Sequence, residues 1–142
     1  MNSMKFTVPG IPVGKGRPKF STVNGHAVAY TPAKTANYET LVKLAYQQQC
    51  GGCKPFDKDL PLTATITAYF PIPKSVSKRK REIMKGGLVP HTKKPDADNI
   101  AKAVLDALNG IAFYDDSQVA SLRVAKYYSE EPRVEIELYG MA

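Results

Sequence analysis

The feature that most constrains the fold is an alternating stretch in the middle of the chain, L-T-A-T-I-T-A-Y-F, over Leu62 to Phe70. Every second side chain is apolar, and threonines and a tyrosine lie between. Because successive side chains of a β-strand point to opposite faces, this pattern predicts a strand with one buried face. Pro71 and Pro73 end it, since proline cannot donate to a sheet ladder. Such a strand must pair with others and be covered by another layer, which excludes a purely helical chain.

Further strands are predicted on both sides of this segment. Asn24-Gly25 tolerates positive φ and lies between two short β-prone runs, which predicts a type I′ hairpin. Glu131-Pro132 turns the chain back into a last antiparallel strand. The predicted strands besides the central one are Lys5–Val8, Lys19–Val23, His26–Tyr30, about Gln118 to Tyr128, and the alternating run with Val134, Ile136 and Leu138.

Two main helices complete the prediction. Thr31 as N-cap and Pro32 as first helical residue open a helix that runs to about Gln49. A second helix follows Pro95, with Asp98 as its predicted N-cap. Its apolar side chains keep the i, i+3, i+4, i+7 spacing: Ile100, Ala103, Val104, Ala107 and Leu108. The expected fold is α+β, with a small mixed or antiparallel sheet and two main helices in one domain over residues 1–142.

The charge is strongly asymmetric along the chain. Residues 1–95 carry 16 Lys and Arg against 4 Asp and Glu, a net of +12, whereas residues 96–142 carry 4 against 9, a net of −5. Lysines and arginines that face phosphates gain affinity by releasing condensed counterions, so the basic part predicts a nucleic acid partner. No run approaches the roughly 20 apolar residues of a membrane span, and the first residues lack the apolar core of a secretory signal. We therefore expect a cytoplasmic protein without a membrane partner.

Two basic segments are the predicted DNA contacts. G-K-G-R-P-K at 14–19 lacks the order of a nucleotide-binding loop and is interpreted as a phosphate-contacting loop, with a plain solvated loop as the alternative. The segment from about residue 74 to 94 has a marginal apolar face and is expected to form a mobile basic arm, to which His91 adds one more polar group. The predicted DNA-binding residues are Lys15, Arg17, Lys19, Lys78, Arg79, Lys80, Arg81, Lys93 and Lys94.

Two aspartates, Asp96 and Asp98, lie one residue apart directly after the basic arm. Two aspartates at a helix start are commonly only caps that favour the positive helix end, and this interpretation stays open from these residues alone. Asp115 and Asp116 lie at the other end of the same helix-to-strand connection. A strand that returned beside the helix could bring them toward the first pair.

Clustered carboxylates repel one another unless a cation lies between them, and oxygen ligands without His or Cys suit Mg²⁺ or Mn²⁺. In a basic protein such an ion could polarise a phosphoryl oxygen and activate water. Helix geometry places Asp98, Lys102 and Asp106 on one stripe. Lys102 could then stabilise the charge of the transition state, or it could form a surface ion pair with Asp98 or Asp106.

The aspartates lie in two longer stretches, K-P-D-A-D-N-I-A-K-A-V-L-D-A-L-N-G and F-Y-D-D-S-Q-V-A-S-L-R-V-A-K. Together these stretches resemble the signature of the RusA family of Holliday-junction resolvases, which are often encoded by prophages. The resemblance is dense from Lys94 to Lys126. It implies that Asp96, Asp98 and Asp116 are catalytic and bind the metal, and that Lys102 is the catalytic lysine. The resemblance also places Asp115 among the metal ligands. Asp106 matches an acidic position of the family, and its role stays open.

The resemblance further implies a RusA-like fold and a Mg²⁺-dependent homodimer, with Mn²⁺ as a possible substitute. Such an enzyme binds four-way DNA junctions and resolves them by paired symmetric nicks, in recombination and repair. The basic segment from about residue 74 to 94, hereafter the basic insert, departs from the family pattern. The preferred cleavage sequence of the family therefore cannot be carried over to this chain.

Two other classes of protein remain open. The first is a non-catalytic basic DNA-binding protein in which Asp96 and Asp98 only cap the helix. The second is a zinc or redox protein built on Cys50 and Cys53. Because a helix C-terminus raises a thiol pKa and zinc would need two more ligands, we expect this pair to lie in an inert loop.

Overall fold

The computed structural model describes residues 3–52 and 54–141. The elements in chain order are β1 (Ser3–Pro9), β2 (Lys19–Val23), β3 (His26–Tyr30), α1 (Ala33–Cys50), β4 (Leu62–Pro71), α2 (Lys78–Met84), α3 (Ala97–Leu108), β5 (Val119–Ser129) and β6 (Arg133–Gly140). A short 3₁₀ turn over Asp116–Gln118 precedes β5. None of the helices in these ranges is both long and apolar enough to cross a membrane.

The main sheet is mixed and has the order β1-β6-β4-β5. The alternating stretch that predicted a strand forms β4, which pairs antiparallel with β6 and parallel with β5. The last strand is antiparallel as expected, but its neighbours are β1 and β4 rather than β5. The reason is that α3 lies in the connection between β4 and β5. A helical connection returns the chain in the same direction, so β5 lies parallel beside β4.

One face of the sheet carries the core. The inward side chains of β4 and β6 are fully buried, and those of β1 nearly so, under α1 and α3, while the other face carries threonines and charged residues. The largest buried side chains include Phe6, Tyr46, Leu62, Ile66, Ile100, Leu108, Phe113, Ile136 and Leu138. This two-layer arrangement confirms the α+β class with two main helices.

The basic insert is docked on the sheet, which corrects the expectation of a mobile arm. Ser77 caps α2 by accepting a hydrogen bond from the Lys80 N–H, and Met84 is buried. Residues 89–91 then extend the sheet beyond β5, because the His91 N–H donates to Lys126 O and the Tyr128 N–H donates to Val89 O, each at 3.0 Å. The apolar pattern of α2 did not predict this docking, because the backbone groups that pair with β5 lie after the helix, at Val89 and His91.

Both main helices begin at different residues from those predicted. The N-cap of α1 is Pro32, one residue later than expected, and no side chain caps it. The N-cap position of α3 belongs to Asp96, and Asp98 lies within the first turn. The helix therefore begins two residues earlier than the prediction that made Asp98 the cap.

Candidate active site

Asp96 and Asp98 are exposed at the N-terminal end of α3, and the Asp96 side chain makes no capping bond. The first helical bonds are made by the backbone carbonyl of Asp96, which accepts from the N–H groups of Asn99 and Ile100. The Asp96 carboxylate forms one surface pair, 3.3 Å from Lys94 Nζ. Such exposed pairs contribute under about 1 kcal/mol, so this carboxylate can exchange its partner.

The segment that leads into Asp96 is held by Lys126 of β5. The Lys126 ammonium donates to Lys93 O at 2.6 Å and to Pro95 O at 2.7 Å. Hydrogen bonds from a charged donor are about twice as strong as neutral ones. Lys126 therefore fixes the backbone beside the first aspartate, a role that spacing along the sequence did not suggest.

His91 also anchors the segment that leads into Asp96. Its ring stacks on Phe70 at 3.8 Å between centroids and meets Tyr128 edge-on. Burial, followed by the nearby charges of Lys126 and Lys93, lowers the pKa of His91. From the sequence, His91 is expected to be one of the polar groups of the basic arm. In the structure, its neutral ring instead packs against other aromatic rings.

The basic loop, residues 14–19, lies against the N-terminal end of α3. The Lys15 N–H donates to Asn99 O at 2.8 Å. A Cβ atom on Gly14 would lie 2.7 Å from Pro95 Cβ, so a side chain at that position would displace the loop. Loop and helix enclose a groove of about 460 Å³ whose lining includes Gly14, Lys34, Lys94, Pro95 and Asn99.

Lys15 is engaged within the chain, which argues against the predicted phosphate contact. Its ammonium lies 3.1 Å from a Glu39 oxygen and 3.2 Å from Asp106 Oδ2. Burial alone would lower the pKa of Lys15, but the hydrogen bonds to Glu39 and Asp106 outweigh it and raise the pKa. Asp106 is thereby committed to joining the loop to α3, so the ion pair considered for Lys102 with this residue is absent.

Lys102 is exposed one turn after Asp98 and makes no ion pair with any residue in the described part of the chain. Most other predicted DNA contacts are also exposed: Arg17, Lys19, Lys78, Arg79, Lys80, Lys93 and Lys94. Arg81 differs, because it is half-buried and donates to Pro73 O at 2.9 Å. Its guanidinium thus fixes the start of the insert rather than facing solvent.

The second aspartate pair lies in the turn before β5. Asp115 caps this turn by accepting from the Ser117 N–H at 3.1 Å. Hydrogen bonds from the Ser117 side chain, and then from its N–H, lower the pKa of Asp115. The buried Gln118 side chain holds the turn, since its amide donates to Asp57 O and Leu60 O. Asp116 is exposed, and its backbone carbonyl accepts from the Val119 N–H at the end of the turn.

The two aspartate pairs lie at opposite ends of α3 within one chain. A helix of 12 residues spans about 18 Å. β5 begins at the far end of this helix and runs back past it, so its start lies near Asp116 and its Lys126 lies near Asp96. In residues 3–52 and 54–141 no three His, Cys, Asp or Glu side chains form a group that could hold a metal ion. The expectation that the returning strand would bring the pairs together is therefore not met within a chain.

The cysteine pair can be followed only in part. Cys50 is the last residue of α1, and its thiol lies 3.9 Å from Lys5 O. Cys53 lies outside the described residues. Of the two histidines that a zinc site would need, His91 is buried against Phe70 and His26 lies in the hairpin.

Comparison with known proteins identifies the family of this chain. The family model described as endodeoxyribonuclease RusA matches residues 9–139. The chain is 45% identical over 139 residues to the uncharacterized protein YqaN of Bacillus subtilis strain 168, covering 96% of this chain and 95% of that one. It is 27% identical over 137 residues to the crossover junction endodeoxyribonuclease rusA of Lactococcus phage r1t, covering 94% of each. With its α+β fold and with nearly the whole chain matched, this protein belongs to the RusA endodeoxyribonuclease family.

Proposed function

We propose that this protein is a metal-dependent Holliday-junction resolvase that binds four-way DNA junctions as a homodimer and resolves them by paired symmetric nicks, in recombination and repair. The observation that carries the proposal is the pair of exposed carboxylates at the positive end of α3, on a basic surface, with no capping bond from Asp96. Family membership supports the nuclease activity, and the name of the phage relative supports the junction as substrate.

The donors at this helix end fit Mg²⁺, with Mn²⁺ as a substitute. Asp96 and Asp98 offer exposed carboxylate oxygens, and Mg²⁺ is commonly bound by one or two carboxylates together with substrate phosphates and waters. Bound there, the ion would polarise a phosphoryl oxygen and supply a more acidic water. Lys102 carries an ammonium free of ion pairs with the described residues, and this charge stabilises the leaving oxygen.

Two symmetric cuts require two sites related by a two-fold axis, and one sheet edge suits such a dimer. The edge at β1 is covered by the Gln49 side chain. The Thr7 N–H donates to Gln49 Oε1 at 2.9 Å, and Gln49 Nε2 donates to Thr7 O at 2.7 Å. The C-terminal half of β5 is covered by residues 89–91. In its N-terminal half the Val119 N–H bonds Asp116 O of the preceding turn. Ala120 to Arg123 form no outward backbone bond to any described residue, and Leu122 is 47% exposed. An open edge of this kind is a template for another strand.

A two-fold axis at this edge pairs β5 antiparallel with its own copy. Asp116, which lies just before β5, is then carried toward the other end of the partner's β5, where Lys126 holds the segment beside Asp96. Each site combines Asp96 and Asp98 of one chain with Asp116 of the partner subunit. This arrangement accounts for the position of the two pairs at opposite ends of α3 within one chain.

The first experiment compares a four-way junction with a matched linear duplex, with and without Mg²⁺. We expect cleavage of the junction only, and only with the ion. Asp98→Asn and Asp116→Asn keep the side-chain shape but remove a negative ligand, so cleavage should fall to background while junction binding in a gel-shift assay survives. If Asp98→Asn cuts normally and unfolds about 1 kcal/mol more easily, the aspartate stabilises only the helix and the chain is a DNA-binding protein without this active site.

The shared site is tested by mixing the two inactive variants. In a heterodimer of Asp98→Asn and Asp116→Asn chains, one shared site carries both changes and the other carries neither. Nicking of one junction strand should therefore return in the mixture. A mixture that stays inactive, although mass spectrometry shows that heterodimers have formed, places each complete site within a single chain.

A further inference from the structure

The β2–β3 hairpin stands apart from both layers of the fold. Every residue from Lys19 to Tyr30 is exposed, and the two strands pair only with each other. The exposed side chains include large apolar ones, with Phe20 at 72% as the extreme. An isolated two-stranded hairpin is marginally stable in water, and clustered apolar exposure marks an interaction surface.

The faces of the hairpin differ in shape. Cross-strand pairing puts Phe20 opposite Ala29 and Thr22 opposite Ala27 on one face. Three small side chains thus surround one aromatic ring, which leaves the ring accessible to another planar group. The opposite face carries Tyr30 next to Lys19, an aromatic side chain beside a cation.

Charge indicates what this surface binds. The chain carries no Asp or Glu before Glu39, so the hairpin and the loop that leads to it are free of carboxylates. Arg17 and Lys19 are exposed at its base. A polyanion with planar groups, which is a nucleic acid with unstacked bases, complements such a surface.

Position connects the hairpin to the candidate active site. Phe20 lies at the base of the hairpin rather than at its Asn24-Gly25 tip. The flanking residues Gly16 and Pro32 line the same groove as Lys94 and Pro95, directly before Asp96. A DNA strand that follows this groove away from Asp96 therefore leads to the base of the hairpin, where Phe20 is exposed.

We propose that the hairpin recognises the branch point of the junction by stacking Phe20 on a base that is unpaired or loosely stacked at the crossover. The inference rests on the proposed function and extends it to the means of discrimination. In a continuous duplex each base is already stacked between its neighbours, so Phe20 finds no partner there. Selectivity for branched DNA thus originates in this hairpin as well as in the spacing of the two sites.

The test uses the full-length protein without Mg²⁺ and a junction that carries 2-aminopurine next to the crossover. Binding of the unchanged protein should raise the fluorescence, because the base leaves its neighbours. Phe20→Ala should abolish the rise and weaken junction binding about tenfold, as expected for the loss of one stacked base, with little change for duplex. Phe20→Trp should retain both signals, and Val23→Ala, at the tip and on the other face, is the matched control.

Three outcomes would overturn the proposal. The first is a Phe20→Ala variant that keeps both the fluorescence rise and the junction affinity. The second is equal weakening on junction and duplex. The third is dissociation of the Phe20→Ala variant into monomers in sedimentation, which would assign the hairpin to a second copy of the chain. If the unchanged protein shows the Phe20-dependent signal but cuts no junction with Mg²⁺, the proposed function fails while the stacking role stands.

Discussion

At the scale of single residues, neighbouring lysines have different roles that depend on what surrounds them. Lys15 lies between Glu39 and Asp106, so its charge is used to join a loop to a helix. Lys126 binds two carbonyl groups and holds the segment before Asp96. Lys102 has no such partner in the described part of the chain, which leaves its ammonium available to a substrate. Residue type alone does not separate these three roles.

The role of Lys126 is tested by Lys126→Met, which keeps the apolar stem and removes the donors. Loss of two hydrogen bonds from a charged group should lower the free energy of unfolding by about 1.5–3 kcal/mol. Because the segment before Asp96 loosens, the Mg²⁺ concentration for half-maximal junction cleavage should rise by about 10-fold to 100-fold. Urea unfolding and a metal titration of the cleavage rate measure the two effects.

The control for this variant is Lys58→Met, which removes the same charge from an exposed position. It should leave both quantities unchanged, and Lys126→Arg should recover part of the metal affinity. A Lys126→Met variant that is less stable but has an unchanged metal dependence shows that the lysine stabilises the fold without positioning the aspartate.

At the scale of elements, β5 is the strand on which the candidate site depends. It starts at the turn that carries Asp116, passes an open edge, and ends where Lys126 reaches the start of α3. The basic insert covers only its C-terminal half, through residues 89–91. The same strand therefore supplies the half-buried anchor Lys126 toward one end and the proposed dimer contact at the other.

A charge on the open edge should separate the proposed dimer. Leu122→Lys places an ammonium on an edge strand, which opposes pairing with a second copy. We expect sedimentation to show monomers, with junction cleavage lost and the melting temperature of the monomer nearly unchanged. Leu44→Lys, on α1 with 49% exposure against 47% for Leu122, is the matched control. A Leu122→Lys protein that remains a fully active dimer places the interface elsewhere.

At the scale of the whole molecule, the basic loop and the docked insert lie on either side of the start of α3. Both segments carry exposed cations, and among the described residues only Lys94 forms an ion pair with Asp96 or Asp98. In the proposed function, these cations attract phosphates to the region where the metal would compensate the negative charge. Arg81 is excluded from this surface because it binds Pro73 O.

Replacing Lys78, Arg79 and Lys80 by Ala should weaken binding to all DNA sequences alike. The slope of the logarithm of the binding constant against the logarithm of salt concentration should decrease by about three, since each cation that faces a phosphate adds about one to this slope. Fluorescence anisotropy over a range of salt concentrations measures the slope. Arg81→Ala should instead lower thermal stability with the slope retained, and an unchanged slope in the triple variant would remove α2 from the DNA interface.

Local sequence patterns were sufficient to predict the elements whose formation depends on a few neighbouring residues. The alternation over Leu62 to Phe70, the Asn24-Gly25 turn and the apolar stripe of α3 each correspond to an observed element. They were predictable because side-chain period and turn preference follow from backbone geometry that acts over a few residues. The motif around Asp96 likewise indicated the family, since it lies within one contiguous stretch of chain.

Features that depend on contacts between distant segments became evident with the tertiary structure. It placed β4 between β5 and β6, docked the insert through His91, and engaged Lys15 with Glu39 and Asp106. It also separated the aspartate pairs, because a helix between two parallel strands must return the chain to its starting end. Whether a carboxylate caps, pairs or remains available is set by neighbours that packing supplies, and packing depends on the fold of the whole chain.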